Sequence, residues 1–302
     1  MCRGRSPDST TSRPLARVAV ATAACAIAAA VAVLSAHAAQ FASGVNLVEV
    51  YAAVVDRDGR PVPNLTRDDF TVLEDGRVQT VSAFAAGDFP LSVAVAIDRS
   101  FSMSGRQLPI ARDAARTFLE RLRPGDQAMI VAIGSEVQTV APLSTDRRVQ
   151  LDAVQRLEAW GTTGLHDAII AAIDAIQPAT GRRALVLLSD GTDRYSHASA
   201  ADARDRARRS DVMVYPVVLG KTRPPLFAEL AALTGGRSFQ PKNATDAMAT
   251  LTLIAEELRQ QYLLGYVPSK PIAPGDDQWR AITVRVNRPD VTVRARDGYV
   301  AR

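Results

Sequence analysis

The sequence has few of the side chains on which covalent and zinc-dependent catalysis rely. Of its 302 residues two are cysteine, Cys2 and Cys25, and both lie in an N-terminal stretch with the features of an export leader. Three are histidine, and the two beyond that stretch, His166 and His197, have no partner at the spacing of zinc ligands. The remainder of the chain therefore has no disulfide and no thiol nucleophile, and we interpret both histidines as surface residues.

Enzyme motifs and a nucleic-acid-binding surface are also missing from the sequence. It contains no Gly-x-Ser-x-Gly elbow for a serine nucleophile and no Gly-x-x-x-x-Gly-Lys-Ser/Thr loop for phosphate. The net charge is +4, but four arginines and one aspartate lie in the first 38 residues and account for most of it. The rest of the chain is close to neutral, so we expect no nucleic-acid partner. Because the catalytic motifs are missing, we also expect no enzymatic activity.

Residues 1–38 have the three parts of a signal peptide. Four arginines precede an uncharged apolar run, Val18–Leu34, and Ala36-His37-Ala38 fits the pattern that signal peptidase cleaves. The run is also just long enough to span a bilayer, so an uncleaved membrane anchor is the alternative. In either case we expect the rest of the chain outside the cytoplasm, periplasmic or secreted.

From residue 91 onward, short apolar runs alternate with amphipathic stretches. The runs predict strands at Leu91–Asp98, Gln127–Gly134, Val137–Leu143, Arg183–Asp190, Asp211–Leu219 and Ser238–Gln240. The stretches between them predict helices at Gln107–Leu122, Asp146–Leu157, Leu165–Ile176, Ala198–Arg209, Pro225–Leu233 and Thr245–Gln261. This alternation predicts an α/β fold with a doubly wound, mostly parallel sheet over residues 89–261.

The two flanks of this region have strand composition instead. We predict strands at Val45–Val55, Phe70–Leu73 and Val78–Phe84 in the N-terminal flank, residues 39–88. In the C-terminal flank, residues 262–302, we predict them at Tyr262–Val267, Ala281–Val286 and Val291–Ala295. Because each flank alone is too small for a stable sheet, we expect the two to pack together as one small β-rich subdomain.

Oxygen-bearing side chains follow the predicted parallel strands. Asp98 ends the first strand and precedes Ser100, Ser102 and Ser104, and Asp190 ends a second strand. A third loop, Gly161–Gly164, contains two threonines and leads into a helix. Because ligands bind beyond the carboxyl ends of such strands, these loops form a candidate site of hard oxygen donors, which suit Mg²⁺, Mn²⁺ or Ca²⁺.

This arrangement resembles the metal-ion-dependent adhesion site of von Willebrand factor A domains. Asp98, Ser100 and Ser102 match the Asp-x-Ser-x-Ser element of the family, and Asp190 matches its Asp-Gly element. Thr163 matches the threonine loop, whereas Thr162 stands where the family usually has glycine, so either threonine is a candidate to face the metal.

The resemblance extends into both flanks. Val62–Phe84, Leu233–Phe239, Gln261–Pro268 and the tail Arg294–Tyr299 are similar to an exported bacterial branch of the family, best known from acidobacterial sequences. In that branch an N-terminal β-region and an Arg-Ala-Arg-x-Gly-Tyr tail bracket the A domain. The resemblance therefore implies an exported protein with one A domain between two flanks.

The resemblance also implies how the site works. Ser100, Ser102 and Thr163 would bind the metal, Mg²⁺ most of all, and Asp98 and Asp190 would hold its waters. Neutral ligands leave much of the metal charge uncompensated, so the metal favours an anionic ligand. The implied partner is a protein that presents an Asp or Glu, in adhesion or complex assembly.

Alternative interpretations remain for several of these residues and for the function. The loop serines are also suited to capping the next helix, Asp193 reads as a turn or N-cap residue, and Trp160 either packs or lines the ligand face beside Thr162 and Ser104. For the whole protein, the alternatives are a structural envelope protein that uses the metal as a staple and a metal-assisted hydrolase.

Overall fold

A computed structural model describes residues 47–87, 89–273 and 275–301 of the chain. The predicted leader and the beginning of the N-terminal flank lie outside the described residues. Within the described ranges, no helix is both long enough and apolar enough to cross a membrane.

Thirteen strands and six α-helices are found in this part of the chain. The strands are β1 Val48–Val55, β2 Phe70–Glu74, β3 Arg77–Gln79, β4 Val81–Ala86, β5 Leu91–Asp98, β6 Gln127–Ile133, β7 Gln138–Ser144, β8 Arg182–Ser189, β9 Met213–Val218, β10 Gln261–Tyr266, β11 Trp279–Val286, β12 Thr292–Arg294 and β13 Gly298–Val300. The helices are α1 Gln107–Arg121, α2 Arg147–Gln155, α3 Leu165–Ile176, α4 Ala200–Arg208, α5 Pro225–Thr234 and α6 Ala244–Arg259.

The central sheet has the strand order β7-β6-β5-β8-β9 and is parallel except for the edge strand β7. Every residue of β5 is buried, because helices cover both faces of the sheet. Phe118 of α1 and Leu251 of α6 belong to the core on one face, and Ile173 of α3 and Phe227 of α5 to the core on the other. The strand order changes direction beside β5, which makes the carboxyl end of β5 the switch point where such sheets bind ligands.

Two four-stranded antiparallel sheets lie outside the central sheet, with the orders β12-β1-β10-β4 and β13-β11-β2-β3. Each sheet combines strands that precede the central sheet in sequence with strands that follow it. Their apolar faces share one core, which includes Val50, Phe70, Val72 and Leu264. The predicted fold class, a doubly wound α/β sheet with a β-rich part built from both flanks, is thereby confirmed.

Several predicted elements differ from the structure. The predicted strand Val78–Phe84 is divided at Thr80, because β3 pairs with β2 in one sheet whereas β4 pairs with β10 in the other. Ser238–Gln240 is not a strand and forms only a single bridge through Phe239. The predicted helix Thr245–Gln261 is too long, since α6 ends at Arg259 and the next strand begins two residues later. Strand β13, which extends the sheet beside β11, was not predicted.

The two segments that resemble the bacterial branch, Leu233–Phe239 and Arg294–Tyr299, contact each other. The Asp297 N–H donates to the Leu233 carbonyl at 3.0 Å, and Thr234 bridges to Arg296. Gly235 has a φ of 80°, and a Cβ there would come within 2.6 Å of the Ala295 backbone. These residues therefore join the C-terminal strands to the end of α5, which is a structural role.

A buried polar network connects the two flanks. The Glu74 carboxylate accepts hydrogen bonds from the hydroxyls of Tyr266 and Tyr299, at 2.7 and 2.8 Å, and lies 3.3 Å from the Arg280 guanidinium. Glu74 and Arg280 are both almost completely buried. Burial, followed by the hydrogen bond to Glu74, raises the pKa of each of the two tyrosines, which stay neutral donors.

We predict that Glu74→Gln lowers the free energy of unfolding by about 3 kcal/mol, because it removes the buried carboxylate that joins Arg280 to the N-terminal flank and leaves Arg280 with Asp276 of its own flank. The matched control is Arg57→Gln, which breaks the exposed ion pair with Asp290 between the same two flanks and should cost less than about 1 kcal/mol. Chemical denaturation of both variants measures the difference. Equal effects would show that the buried network does not hold the flanks together.

Candidate metal centre

Asp98 lies at the carboxyl end of β5 and is completely buried. One carboxylate oxygen accepts a hydrogen bond from the Ser100 N–H at 2.9 Å, and the other accepts one from the Ser189 hydroxyl at 2.7 Å. Burial raises the pKa of Asp98; the hydrogen bonds from Ser100 and Ser189 oppose this rise, and the charge of Asp190 adds to it. The hydrogen bonds from Ser100 and Ser189 therefore fix the position of Asp98, but they do not fully offset the cost of burying its ionised form.

Ser100 and Ser102 present two hydroxyls side by side in the loop that follows Asp98. Their oxygens are 3.1 Å apart, because Ser100 caps a short 3₁₀ turn, Phe101–Met103, that brings alternate side chains to one side. Ser104 does not join them, since its hydroxyl donates to the Phe101 carbonyl at 2.7 Å. The loop therefore offers a pair of neutral oxygen ligands.

The threonine loop is fixed to this serine loop by its backbone. The Phe101 N–H donates to the Gly161 carbonyl at 2.9 Å, and the Trp160 N–H donates to the Arg99 carbonyl at 2.7 Å. Gly161 has a φ of 73°, and a Cβ there would lie 2.6 Å from the Ser135 hydroxyl. A larger residue at this position would push the threonine loop away from Ser135 in the loop after β6.

The two candidate threonines differ in their surroundings. Thr163 is buried, and its carbonyl accepts from the backbone of Arg194 and Tyr195 in the loop after β8. Thr162 is exposed, and its hydroxyl lies 3.3 Å from that of Ser135 in the loop after β6. Of the two residues, Thr163 is thus the one inserted between the other site loops.

Asp190 follows β8 and is half-buried. It accepts a hydrogen bond from the Thr192 N–H at 2.9 Å, which fixes the turn. The neighbouring Ser189, which we did not select from the sequence, is completely buried and connects this turn to Asp98, while it also accepts from the Gly191 N–H. The signal that could have identified it is a hydroxyl at the end of an otherwise apolar buried strand.

Asp193 caps a helix, as expected, but the helix is α3, which precedes it in sequence. The N-cap of α3 is Gly164, which has no side chain to cap the helix. Asp193 instead accepts from the Leu165 N–H at 2.8 Å, and the Ser196 hydroxyl accepts from the His166 N–H at 2.9 Å. The loop after β8 therefore closes the start of α3 and fixes the threonine loop.

The two histidines were both expected at the surface, and this is wrong for His166. Its side chain is only 17% exposed, and its Nδ1 lies 3.1 Å from the Ala198 carbonyl because the loop after β8 folds over it. His197 is 92% exposed and contacts Asp167 at 3.3 Å. Both rings contact groups of the loop after β8 or the first turn of α3.

The donors at this edge of the sheet fit a hard divalent cation. Hydroxyls of Ser100 and Ser102, the loop of Thr163, and the carboxylates of Asp98 and Asp190 all belong to three loops that are bonded to one another. Within the described residues neither carboxylate forms an ion pair with a basic side chain. Two negative charges beside neutral oxygens are a suitable environment for Mg²⁺, whose charge would offset the burial of Asp98.

Exposed aromatic side chains surround these donors. Phe101, Trp160 and Tyr195 are 63%, 41% and 54% exposed, and one lies in each of the three loops. The Arg99 guanidinium lies 5.1 Å from the centre of the Trp160 ring, which also packs near Gly134 and is still partly exposed. The rim of the site is thus apolar and accessible.

Residues 93–192 match the family model of the von Willebrand factor type A domain. The chain contains a von Willebrand factor type A domain. Inter-alpha-trypsin inhibitor heavy chain H4 from Bos taurus is 27% identical over 134 residues, a segment that spans 40% of this chain and 15% of the bovine protein. The match thus covers only a small part of that relative.

Solved structures extend the likeness beyond the matched residues. A von Willebrand factor type A protein from Catenulispora acidiphila is 15% identical, with a TM-score of 0.51 over 86% of this chain and 64% of that one. The von Willebrand factor domain of the type V pili tip protein Mfa5 from Porphyromonas gingivalis is 12% identical, with a TM-score of 0.48 over 58% of this chain and 96% of that one. The first likeness shows the fold, and membership of the exported bacterial branch stays a prediction.

We predict that Asp98→Asn stabilises the metal-free protein near neutral pH. Because the folded-state pKa of Asp98 is raised, its contribution to stability is complete below the pKa of the unfolded chain and is lost as the pH rises through the folded-state pKa. The amide does not ionise, so the variant should be more stable than wild type at neutral pH.

Chemical denaturation in EDTA across the acid-to-neutral range measures this difference in the free energy of unfolding. The advantage of the variant should grow as the pH rises. A difference that is independent of pH would show that Asp98 carries no unbalanced charge in the folded protein.

Proposed function

We propose that the A domain is a metal-dependent protein-binding module that acts outside the cytoplasm, in adhesion or in the assembly of a complex, without catalytic turnover. The observation that carries this proposal is the pair of hydroxyls on Ser100 and Ser102 beside the buried Asp98, whose carboxylate has no basic partner among the described residues. Such a site offers oxygen ligands for a cation, and a bound cation would give the Asp98 carboxylate a positive partner. Export is supported by the sequence of residues 1–38.

In this proposal Ser100, Ser102 and Thr163 bind Mg²⁺, or Mn²⁺ or Ca²⁺ in its place, and Asp98 and Asp190 hold its waters. The bound cation would supply positive charge to attract a carboxylate. The protein groups hold the site together. The buried Asp98 and Ser189 fix the end of β5, and the backbone hydrogen bonds between the loops fix the positions of the hydroxyls. The partner is a protein that presents an Asp or Glu.

The rim of the site supports binding to a protein. Phe101, Trp160 and Tyr195 offer apolar area around the polar centre, and aromatic residues of this kind contribute most to protein–protein affinity. The hydrogen bonds of Asp98, Asp190 and Asp193 go to groups of the site loops and α3, which suits a positioning role better than proton transfer.

We predict that Mg²⁺ stabilises the wild-type protein and that Thr163→Val removes this gain. A ligand that binds only the folded state adds about 2.7 kcal/mol at roughly 100 times its dissociation constant. Valine keeps the shape of threonine but has no oxygen, so the fold should survive. Thr162→Val is the matched control, since its exposed hydroxyl contacts Ser135 instead, and it should keep the full gain.

Denaturation of the three proteins with Mg²⁺ and with EDTA decides between the threonines. Loss of the gain in Thr162→Val alone would show that Thr162, and not Thr163, binds the metal. An unchanged gain in both variants would place the cation elsewhere and would contradict the proposed site.

A further inference from the structure

A cleft of about 450 Å³ opens beside Asp190. It lies where the loop after β8 meets the loop between β9 and α5. Among its lining residues are Gln107, Asp190, Thr192, Lys221, Arg223 and Pro224. A group bound at the serine pair would therefore have this cleft as its immediate neighbour.

The loop that carries Lys221 and Arg223 is closely packed although its side chains are exposed. A Cβ on Gly220 would lie 2.6 Å from the Asp190 carbonyl, and one on Gly191 would lie 2.3 Å from the Pro224 ring. On the other side, the Gln240 amide donates to the carbonyls of Gly220 and Lys221 at 3.2 and 3.0 Å. The backbone of this loop is thus held against the Asp190 turn.

Lys221 and Arg223 form no ion pair within the described part of the chain. By contrast, arginines of the neighbouring helix α4 are paired, and Arg204, Arg206 and Arg208 contact Glu229, Asp174 and Asp297. The two unpaired cations in one cleft therefore give it a positive rim next to Asp190.

The Trp160 side of the site has mixed charge, because the Arg99 guanidinium lies over the Trp160 ring. Glu136 lies in the loop after β6, and Glu158 lies two residues before Trp160; both are exposed. The exposed Lys221 and Arg223, by contrast, give the cleft two cations, which favour additional negative charge of a ligand over the cleft.

We propose that the cleft at Lys221 and Arg223 binds a second carboxylate of the partner, so that the recognised segment is acidic and carries one Asp or Glu for the metal and another for this cleft. This inference rests on the proposed function. It adds a specificity determinant, because a segment with a single acid would use only the metal.

Synthetic Gly/Ser peptides with no, one or two Asp residues test this, the two-Asp peptides differing in the spacing of their carboxylates. Surface plasmon resonance on the immobilised full chain, with Mg²⁺ and with EDTA, measures their Kd values. We expect the best two-Asp peptide to bind wild type about fivefold more tightly than the one-Asp peptide in Mg²⁺.

The double variant Lys221→Gln/Arg223→Gln should lose this advantage and bind both peptides equally. Arg285→Gln/Arg288→Gln is the matched control, because it removes the same charge from exposed positions of the β-rich part and should keep the advantage. No advantage of the second Asp, or an advantage that survives the Lys221/Arg223 change, would overturn this inference. Absence of Mg²⁺-dependent binding of the one-Asp peptide would instead contradict the proposed function.

Discussion

The candidate site depends on one buried carboxylate, that of Asp98. It lies at the switch point of the central sheet, where the Ser100 N–H and the Ser189 hydroxyl bind its two oxygens. These bonds fix the position of the group, and burial makes its charge unfavourable. A folded protein keeps such a group where a further interaction compensates for it, and a divalent cation over the serine pair is the interaction that the neighbouring oxygens suit.

The three loops around Asp98 are connected in a closed circuit. The serine loop bonds to the threonine loop at Gly161, the threonine loop bonds to the loop after β8 at Thr163, and Ser189 returns to Asp98. Because each loop is held by two neighbours, the hydroxyls are in position before any ligand arrives. Such preorganisation lowers the entropic cost of binding.

The β-rich part is built from the segments that precede and follow this domain in sequence. Its two sheets use strands from both flanks, and the Glu74 network and the contact between Thr234 and Arg296 hold them in place. The conspicuous tail motif is therefore explained by packing, whereas the functional proposal rests on the loops at the carboxyl edge of the central sheet.

The sequence predicted the α/β fold because buried parallel strands are continuous apolar runs, and Leu91–Asp98 is one of them. It also predicted that residues after such strands converge, as Asp98 and Asp190 do. It did not reveal Ser189, the division at Thr80, or the capping of α3 by Asp193, because each depends on a partner far away in sequence. Thr162 is exposed and Thr163 is buried. The sequence could not show this difference, because two adjacent loop positions have no periodicity that predicts burial.

The most direct measurement is anomalous X-ray diffraction from crystals of the protein grown with Mn²⁺. The account predicts one strong anomalous peak in coordination contact with the hydroxyls of Ser100, Ser102 and Thr163, with Asp98 and Asp190 next to its waters. A well-ordered site without such a peak, or a peak bound only by other residues, would contradict it.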